Sequence, residues 1–285
     1  MANYQNKAEL SKLTLGKVTE YLSEYNPNLL QAVPRSLNRD DLALDPENLP
    51  FKGEDVWYGY ELSWLNTKGK PVVAVAEFRF PCTSLNLVES KSFKLYLNSF
   101  NQTRFSTSQE VESLLCKDLS NTAQSKVIVT LFNVVDCPAL IIAAQDQKNI
   151  CLDQQDINID SYEYNAALLV APINAEKTVI EENLVSHLLK SNCLITNQPD
   201  WASLYIHYRG QKIDHACLLK YIISFREHNE FHEQCVERIY TDLMQYCQLE
   251  QLTVFARYTR RGGLDINPFR STHLNTAPLA RTLRQ

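Results

Sequence analysis

The order of secondary structure in one half of this chain recurs in the other half at a fixed spacing, and that recurrence narrows the folds open to it. In the first half, two strand-like runs, Asp55 to Trp64 and Pro71 to Phe80, flank Asn66-Thr67-Lys68-Gly69-Lys70, whose Asn and Gly suit a hairpin turn. A helix follows around Glu89 to Phe100, and a second opens at Ser106-Thr107-Ser108 with Glu110 and Glu112 behind it. Lys126 to Val134 returns to β-rich sequence. The second half runs through a strand from Trp201 to Tyr208, a turn at Arg209-Gly210, helices from about Asp214 to Phe225 and Phe231 to Tyr246, and a strand from Leu252 to Tyr258. Adding 125 carries Tyr96 onto Tyr221, Ser99-Phe100 onto Ser224-Phe225, and Val127 to Val134 onto Leu252 to Thr259. Identities are few, so the shared β-β-α-α-β order carries the correspondence.

The expected class is therefore α+β, with two copies of one unit, 51–150 and 151–285, each an antiparallel sheet with paired helices on one face. Residues 1–50, interrupted by Asn26-Pro27-Asn28, Pro34 and Pro46, read as an irregular arm, and Gln145 to Asp160 as the connection. Long sheet edges are usually paired or covered, so two units are expected to join in one larger sheet, and two chains in a barrel, with sites between units.

Composition excludes several classes. A net charge of -5 gives no basis for a general nucleic-acid binder. Met1 to Leu13 lacks the basic and apolar segments of a secretory signal, and no apolar run is long enough to span a bilayer, so a cytoplasmic protein is expected. Eight cysteines without a C-x-x-C pair argue against a zinc knuckle or a thioredoxin-type site.

Four segments carry chemistry. In Glu89-Ser90-Lys91-Ser92-Phe93-Lys94-Leu95-Tyr96, two lysines stand in the opening turns of a helix, where the dipole is already positive. Either they are a solvated face or they serve an anion such as a phosphate; Phe93, Leu97 and Phe100 fall on the buried stripe and Lys91, Lys94 and Asn98 on another. Cys193 lies in a loop between two expected strands, with six residues between it and Asp200. A thiolate there can attack an electrophilic carbon while Asp200 moves a proton, provided a turn at Pro199 brings the carboxyl back; otherwise the pair is a structural thiol and a surface acid.

Glu233 opens a helix beside His232; it either complements the dipole or accepts two hydrogen bonds from the N1–H and amine of a guanine-like ring. The spacing of His228, His232 and Cys235 is also open to a metal, although a turn at Asn229 breaks the shared face. Last, in the segment from Arg257 to Ser271, Arg260-Arg261-Gly262-Gly263 at a strand end is either a basic turn or a way to bring both guanidinium groups and bare backbone N–H groups to a phosphate. Neither G-x-G-x-x-G nor G-x-x-x-x-G-K-[ST] occurs, so a nucleotide would bind without a Rossmann or P-loop cradle.

Taken together these segments resemble the 7-cyano-7-deazaguanine reductase family, the nitrile reductases of queuosine biosynthesis, in the long form with two tandem tunnelling-fold domains. The Glu-Ser-Lys-Ser signature, Cys-x6-Asp, Phe-His-Glu and Arg-Arg-Gly-Gly occur in the family order and cover essentially the whole chain. The resemblance implies that Cys193 forms a thioimide with the nitrile carbon and that Asp200 protonates its nitrogen, a role that suits a carboxyl only if burial or neighbours raise its pKa towards the working pH. It implies that Val88, Glu89, Ser90, His232 and Glu233 bind the substrate, and that Ser90, Lys91, Arg261 and Gly262 bind NADPH, consumed twice per turnover. It also implies a homodimer and no metal. Two rivals stand beside it: a zinc-dependent tunnelling-fold hydrolase of the GTP cyclohydrolase type, and a non-catalytic purine-binding protein that would tolerate Cys193→Ala.

Overall fold

The computed structural model describes residues 21–135, 149–170, 178–278 and 281–285. The first twenty residues of the expected arm and the start of the expected connection, 145–148, lie outside the described residues. A 3-10 turn at Pro27–Leu29 leads to β1 (Ala32–Pro34) and the one-turn helix α1 (Ser36–Arg39). Then come β2 (Lys52–Leu65), β3 (Pro71–Pro81), β4 (Asn86–Val88), α2 (Ser90–Asn98), α3 (Ser108–Ala123) and β5 (Ile128–Asn133). The rest of the chain forms β6 (Asn149–Cys151), β7 (Val179–Asn192), β8 (Pro199–Gln211), α4 (His215–Ser224), α5 (His232–Tyr246), β9 (Leu249–Tyr258) and β10 (Leu264–Ser271).

Eight strands make one sheet in the order β5-β3-β2-β10-β9-β8-β7-β6, antiparallel except for the parallel β6–β7 pair. The α+β class and the antiparallel sheet agree with the sequence. β10 joins the halves: Leu264 to Ser271 run opposite Gly59 to Lys52 of β2. The period-2 alternation of a strand sorts its side chains between the two faces. On the helix-covered face Trp57 packs against Phe80 and Phe93, whereas its neighbours Val56 and Tyr58 join Phe255, Phe269 and Ala277 on the other. Burial of one such ring stabilises by roughly 1.5–3 kcal/mol.

The recurrence in the sequence has a chemical counterpart. Tyr25 and Tyr96 donate to Asp118 Oδ2 at 2.6 and 2.7 Å; Tyr164 and Tyr221 donate to Asp242 Oδ2 at 2.8 and 2.5 Å. Ser99 accepts from the Asn26 amide at 3.2 Å and Ser224 from the Asn165 amide at 3.3 Å, and both asparagines cap 3-10 turns.

Several expectations change. The arm is regular in part: it holds the 3-10 turn, α1 and β1, which pairs antiparallel with β4 with Ala32 opposite Val88, whereas residues 40–51 carry no helix or strand. Arg35 and Arg39 of the arm reach buried Asp55 and Glu237. Arg209-Gly210 is not a turn; β8 continues to Gln211 through a register shift against β9, where Gly210 has φ +159. The turn after Cys193 spans residues 194–196 and is closed by Asn197 at φ 56, and Pro199 opens β8. Residues 264–271, read as the tail of a phosphate-binding segment, are a buried strand in the middle of the sheet.

Candidate active site

The site forms where the arm, β2, β4 and the start of α2 meet the loop after β7 and the start of α5. Val33, Trp57, Leu87, Val88, Glu89, Ser90, Cys193, Asp200, Glu230, Phe231, His232, Glu233, Arg261 and Ile266 line one narrow pocket with a cavity volume of ≈ 20 Å³. A wider groove of ≈ 410 Å³ adjoins it and includes Lys91, Lys94, Gln198 and Gly262. Ser90, His232, Arg261 and Ile266 line both, so pocket and groove are continuous. Residues from both halves are needed to build either.

Glu89 alters the reading of the lysine-bearing helix. Its carboxylate accepts from the Lys91 and Ser92 amides, each at 2.7 Å, and caps α2. The anion at this helix N-terminus is therefore the protein's own, and the orphan N–H groups have no need of a phosphate. Burial pushes the Glu89 carboxyl up, against the pull of those two amides and of Lys91. Lys91 and Lys94 do fall on the less buried face of α2, and both line the groove.

Cys193 is 3% exposed at the start of the loop. Its amide donates to Gln198 O at 2.9 Å, its carbonyl accepts from the Asn197 amide at 3.1 Å, and Asn229 Nδ2 bonds both the Cys193 carbonyl and Asn197 Oδ1. These bonds fix the thiol on a rigid turn. Asp200, opposite Ser191 in the β7–β8 ladder, shares the pocket. His232 Nε2 lies 3.2 Å from Asp200 Oδ2, and Arg261 Nη1 lies 3.2 Å from Oδ1. Burial alone would raise the Asp200 carboxyl, but His232, Arg261 and Lys190 outweigh it and hold the group below its ordinary range. The expected upward shift is thus reversed: in the absence of ligand Asp200 is a carboxylate, suited first to accepting a proton.

His232 stacks on Tyr258 with ring centroids 3.9 Å apart. Glu233 behaves oppositely to Asp200: burial, with the Asp55 charge adding to it, pushes its carboxyl up to about 7, and His232 and Arg35 only partly offset this. Gly262 and Gly263 adopt φ +62 and +78, and a Cβ on Gly262 would meet the Lys94 side chain at 3.1 Å. Backbone approach to the groove therefore requires glycine here. Arg260 departs from the expectation that both arginines face an anion, since its guanidinium lies 3.6 Å from the centroid of the Tyr60 ring.

His228, His232 and Cys235 form no shared metal site. His228 pairs with Glu230 at 3.0 Å and His232 with Asp200. Cys151, Asp153 and His187 are the one trio of donors among the described residues near enough to share an ion. They lie outside the pocket, and Asp153 there already accepts from Ser186 Oγ and the His187 amide. Sequence reasoning missed Val33, Trp57, Leu87 and Ile266 in the pocket wall, because apolar residues in strands carry no signal of a site.

The site thus sets the buried Cys193, Asp200 and Glu233 beside a groove lined by Lys91, Lys94 and Arg261. Residues 21–131 match the family model for nitrile reductase, 7-cyano-7-deazaguanine-reductase N-term, and residues 199–277 match that for QueF-like protein. Over 286 aligned residues, spanning 100% of both chains, the sequence is 73% identical to the NADPH-dependent 7-cyano-7-deazaguanine reductase of Colwellia psychrerythraea. The chain belongs to the 7-cyano-7-deazaguanine reductase family.

Proposed function

We propose that this protein reduces the nitrile of 7-cyano-7-deazaguanine to the 7-aminomethyl base with NADPH, in the route to queuosine in tRNA. The observation that carries the proposal is the meeting of Cys193, Asp200, Glu89, His232 and Glu233 in one pocket whose wall, at Arg261, is shared with a groove lined by Lys91 and Gly262. The Colwellia relative is named for that activity.

Each residue has a role that its setting supports. Glu233, poised between its two protonation states, gives up a proton to accept the N1–H and amine of the deazaguanine, with His232 against a polar ring substituent. Val88, Glu89 and Ser90 close the opposite wall. The Cys193 thiol gives its proton to the Asp200 carboxylate as sulfur bonds to the nitrile carbon; one C–N π bond breaks, and Asp200 passes the proton to nitrogen, leaving a thioimide. NADPH, when bound, supplies two hydrides in succession, four electrons in all. Between them, nitrogen takes up protons, the C–S bond breaks and Cys193 leaves as thiolate. Arg261, Lys91 and the bare Gly262 backbone fit an anionic dinucleotide in the groove, with Ser90 at the junction of the two spaces.

The paired Tyr-Asp networks support reading the chain as two tandem tunnelling-fold units, 51–150 and 151–285, behind an arm at 1–50. The sheet ends at β5 and at the three-residue β6, where Ile128 and Ile150 are exposed, which favours a homodimer that continues the sheet into a barrel. No described helix is long and apolar enough to cross a membrane, and the described cysteines are free thiols, in keeping with a cytoplasmic location. Steady-state turnover of 7-cyano-7-deazaguanine with NADPH, two oxidised per amine formed, tests the function. Consumption of substrate without amine, or turnover that survives Cys193→Ala, would refute it.

A further inference from the structure

Arg261 stands at the boundary between pocket and groove. Its side chain is 32% exposed while that of Asp200 is 5% exposed, and the two charges are 3.2 Å apart. Neither Arg261 Nη1 nor His232 Nε2 makes an aligned hydrogen bond, although both atoms are buried. The clamp on Asp200 is therefore a contact of charges, without the directional bonds that would lock the guanidinium in place. The Arg261 main chain is fixed, its amide donating to Leu264 O at 2.9 Å, so the side chain alone is free to turn. His232 is held by its stack on Tyr258. On the groove side wait Lys91, Lys94 and Gly262, with Glu61 3.8 Å from Lys94.

We infer that Arg261 is shared between two anions: in the free protein it clamps Asp200, and an anionic dinucleotide in the groove draws it away, so that the Asp200 charge and cofactor binding oppose each other. This rests on the proposed assignment of the groove to NADPH. Coupling between sites is reciprocal: if the cofactor weakens the clamp, loss of the Asp200 charge strengthens cofactor binding. The device has a use. The substrate nitrogen needs a proton each time a hydride arrives, and a carboxylate released from its arginine holds a proton more readily, since only His232 and Lys190 then oppose the upward push of its burial.

The test is direct titration of substrate-free protein with NADPH, followed by nucleotide fluorescence, for the wild type, Asp200→Asn, Arg261→Gln and the double variant, with Asp200→Ser measured alongside. Both Asp200 variants are expected to bind NADPH roughly three- to tenfold more tightly, a range appropriate to a partly buried ion pair, and Arg261→Gln is expected to abolish that gain. Unchanged or weaker binding in the Asp200 variants, with Arg261→Gln still weakening the wild type, would overturn the sharing and leave the groove assignment intact. A gain that persists without Arg261 would overturn it too, as a general field effect. Arg261→Gln without effect in either background would remove the groove assignment itself.

Discussion

Arg270 and Glu237, both fully buried, join through Arg270 Nε and Nη2 to Glu237 Oε1 at 3.1 and 2.8 Å, and tie the central strand β10 to α5. Arg270 also reaches Asp55 Oδ1 on β2 at 2.8 Å, and Arg39 from the arm adds to the same Glu237. Arm, first half and second half thus converge on one charge cluster behind the pocket.

Removal of one partner strands the others. Arg270→Ala is expected to lower stability by roughly 3–5 kcal/mol in denaturant unfolding, because it leaves buried carboxylates underpaired. Lys52→Ala, at an exposed position, should cost no more than about 0.5 kcal/mol. Burial alone would raise the Glu237 carboxyl, but Arg270, Arg39 and Arg35 bring it from 4.5 down to about 2. A depressed folded-state pKa gives stability that is present above the unfolded value and lost as pH falls through the folded one. Stability should therefore fall between pH 4.5 and about 2, and Glu237→Gln should flatten that limb.

Binding of the base should depend on pH through Glu233, whose free carboxyl titrates at about 7. A ring that donates two hydrogen bonds needs the carboxylate, so its binding releases a proton below that value. Affinity for 7-cyano-7-deazaguanine, measured in a Cys193→Ala background to prevent addition, should rise by up to about tenfold per pH unit below 7 and level off above it. Glu233→Gln should flatten the curve, and a wild-type affinity constant from pH 5.5 to 8 would contradict the assignment.

Tyr96 and Tyr221 occupy equivalent places in the two halves, each donating to a buried carboxylate. Tyr96→Phe and Tyr221→Phe should each cost roughly 1.5–3 kcal/mol in unfolding experiments, since the lost bond goes to a charged acceptor. A large cost in one half with none in the other would show that the equivalence is geometric alone.

Gly262→Ala places a Cβ against Lys94 at 3.1 Å and forces a side chain into φ +62. KM for NADPH is expected to rise about tenfold or more while addition to Cys193 proceeds at the wild-type rate. Impaired adduct formation with an unchanged KM would assign the turn to the substrate instead.

Much of this was legible in the sequence because local chemistry sufficed. Alternation, hairpin residues and caps located β2, β3, α2 to α5 and β9 to within a few residues, and loop context set Cys193 apart. What was hidden depends on contacts distant in the chain. β10 reads as the continuation of a basic turn until its partner β2, some two hundred residues earlier, is in place. Glu89 reads as an acid before a lysine pair, and its capping bonds appear only once the backbone bends at that residue. The low pKa of Asp200 could not be foreseen, since Arg261 and His232 reach it from two other elements. Tyr25 and Tyr164 gave no signal at all, because the acids that they bond lie 93 and 78 residues away.

The most direct test is the intact mass of the protein mixed with 7-cyano-7-deazaguanine in the absence of NADPH, beside Cys193→Ala. A gain of one substrate mass per chain is expected, absent in the variant and discharged as the amine when NADPH is added. No mass gain at saturating substrate, or an equal gain in the variant, would contradict covalent addition to Cys193.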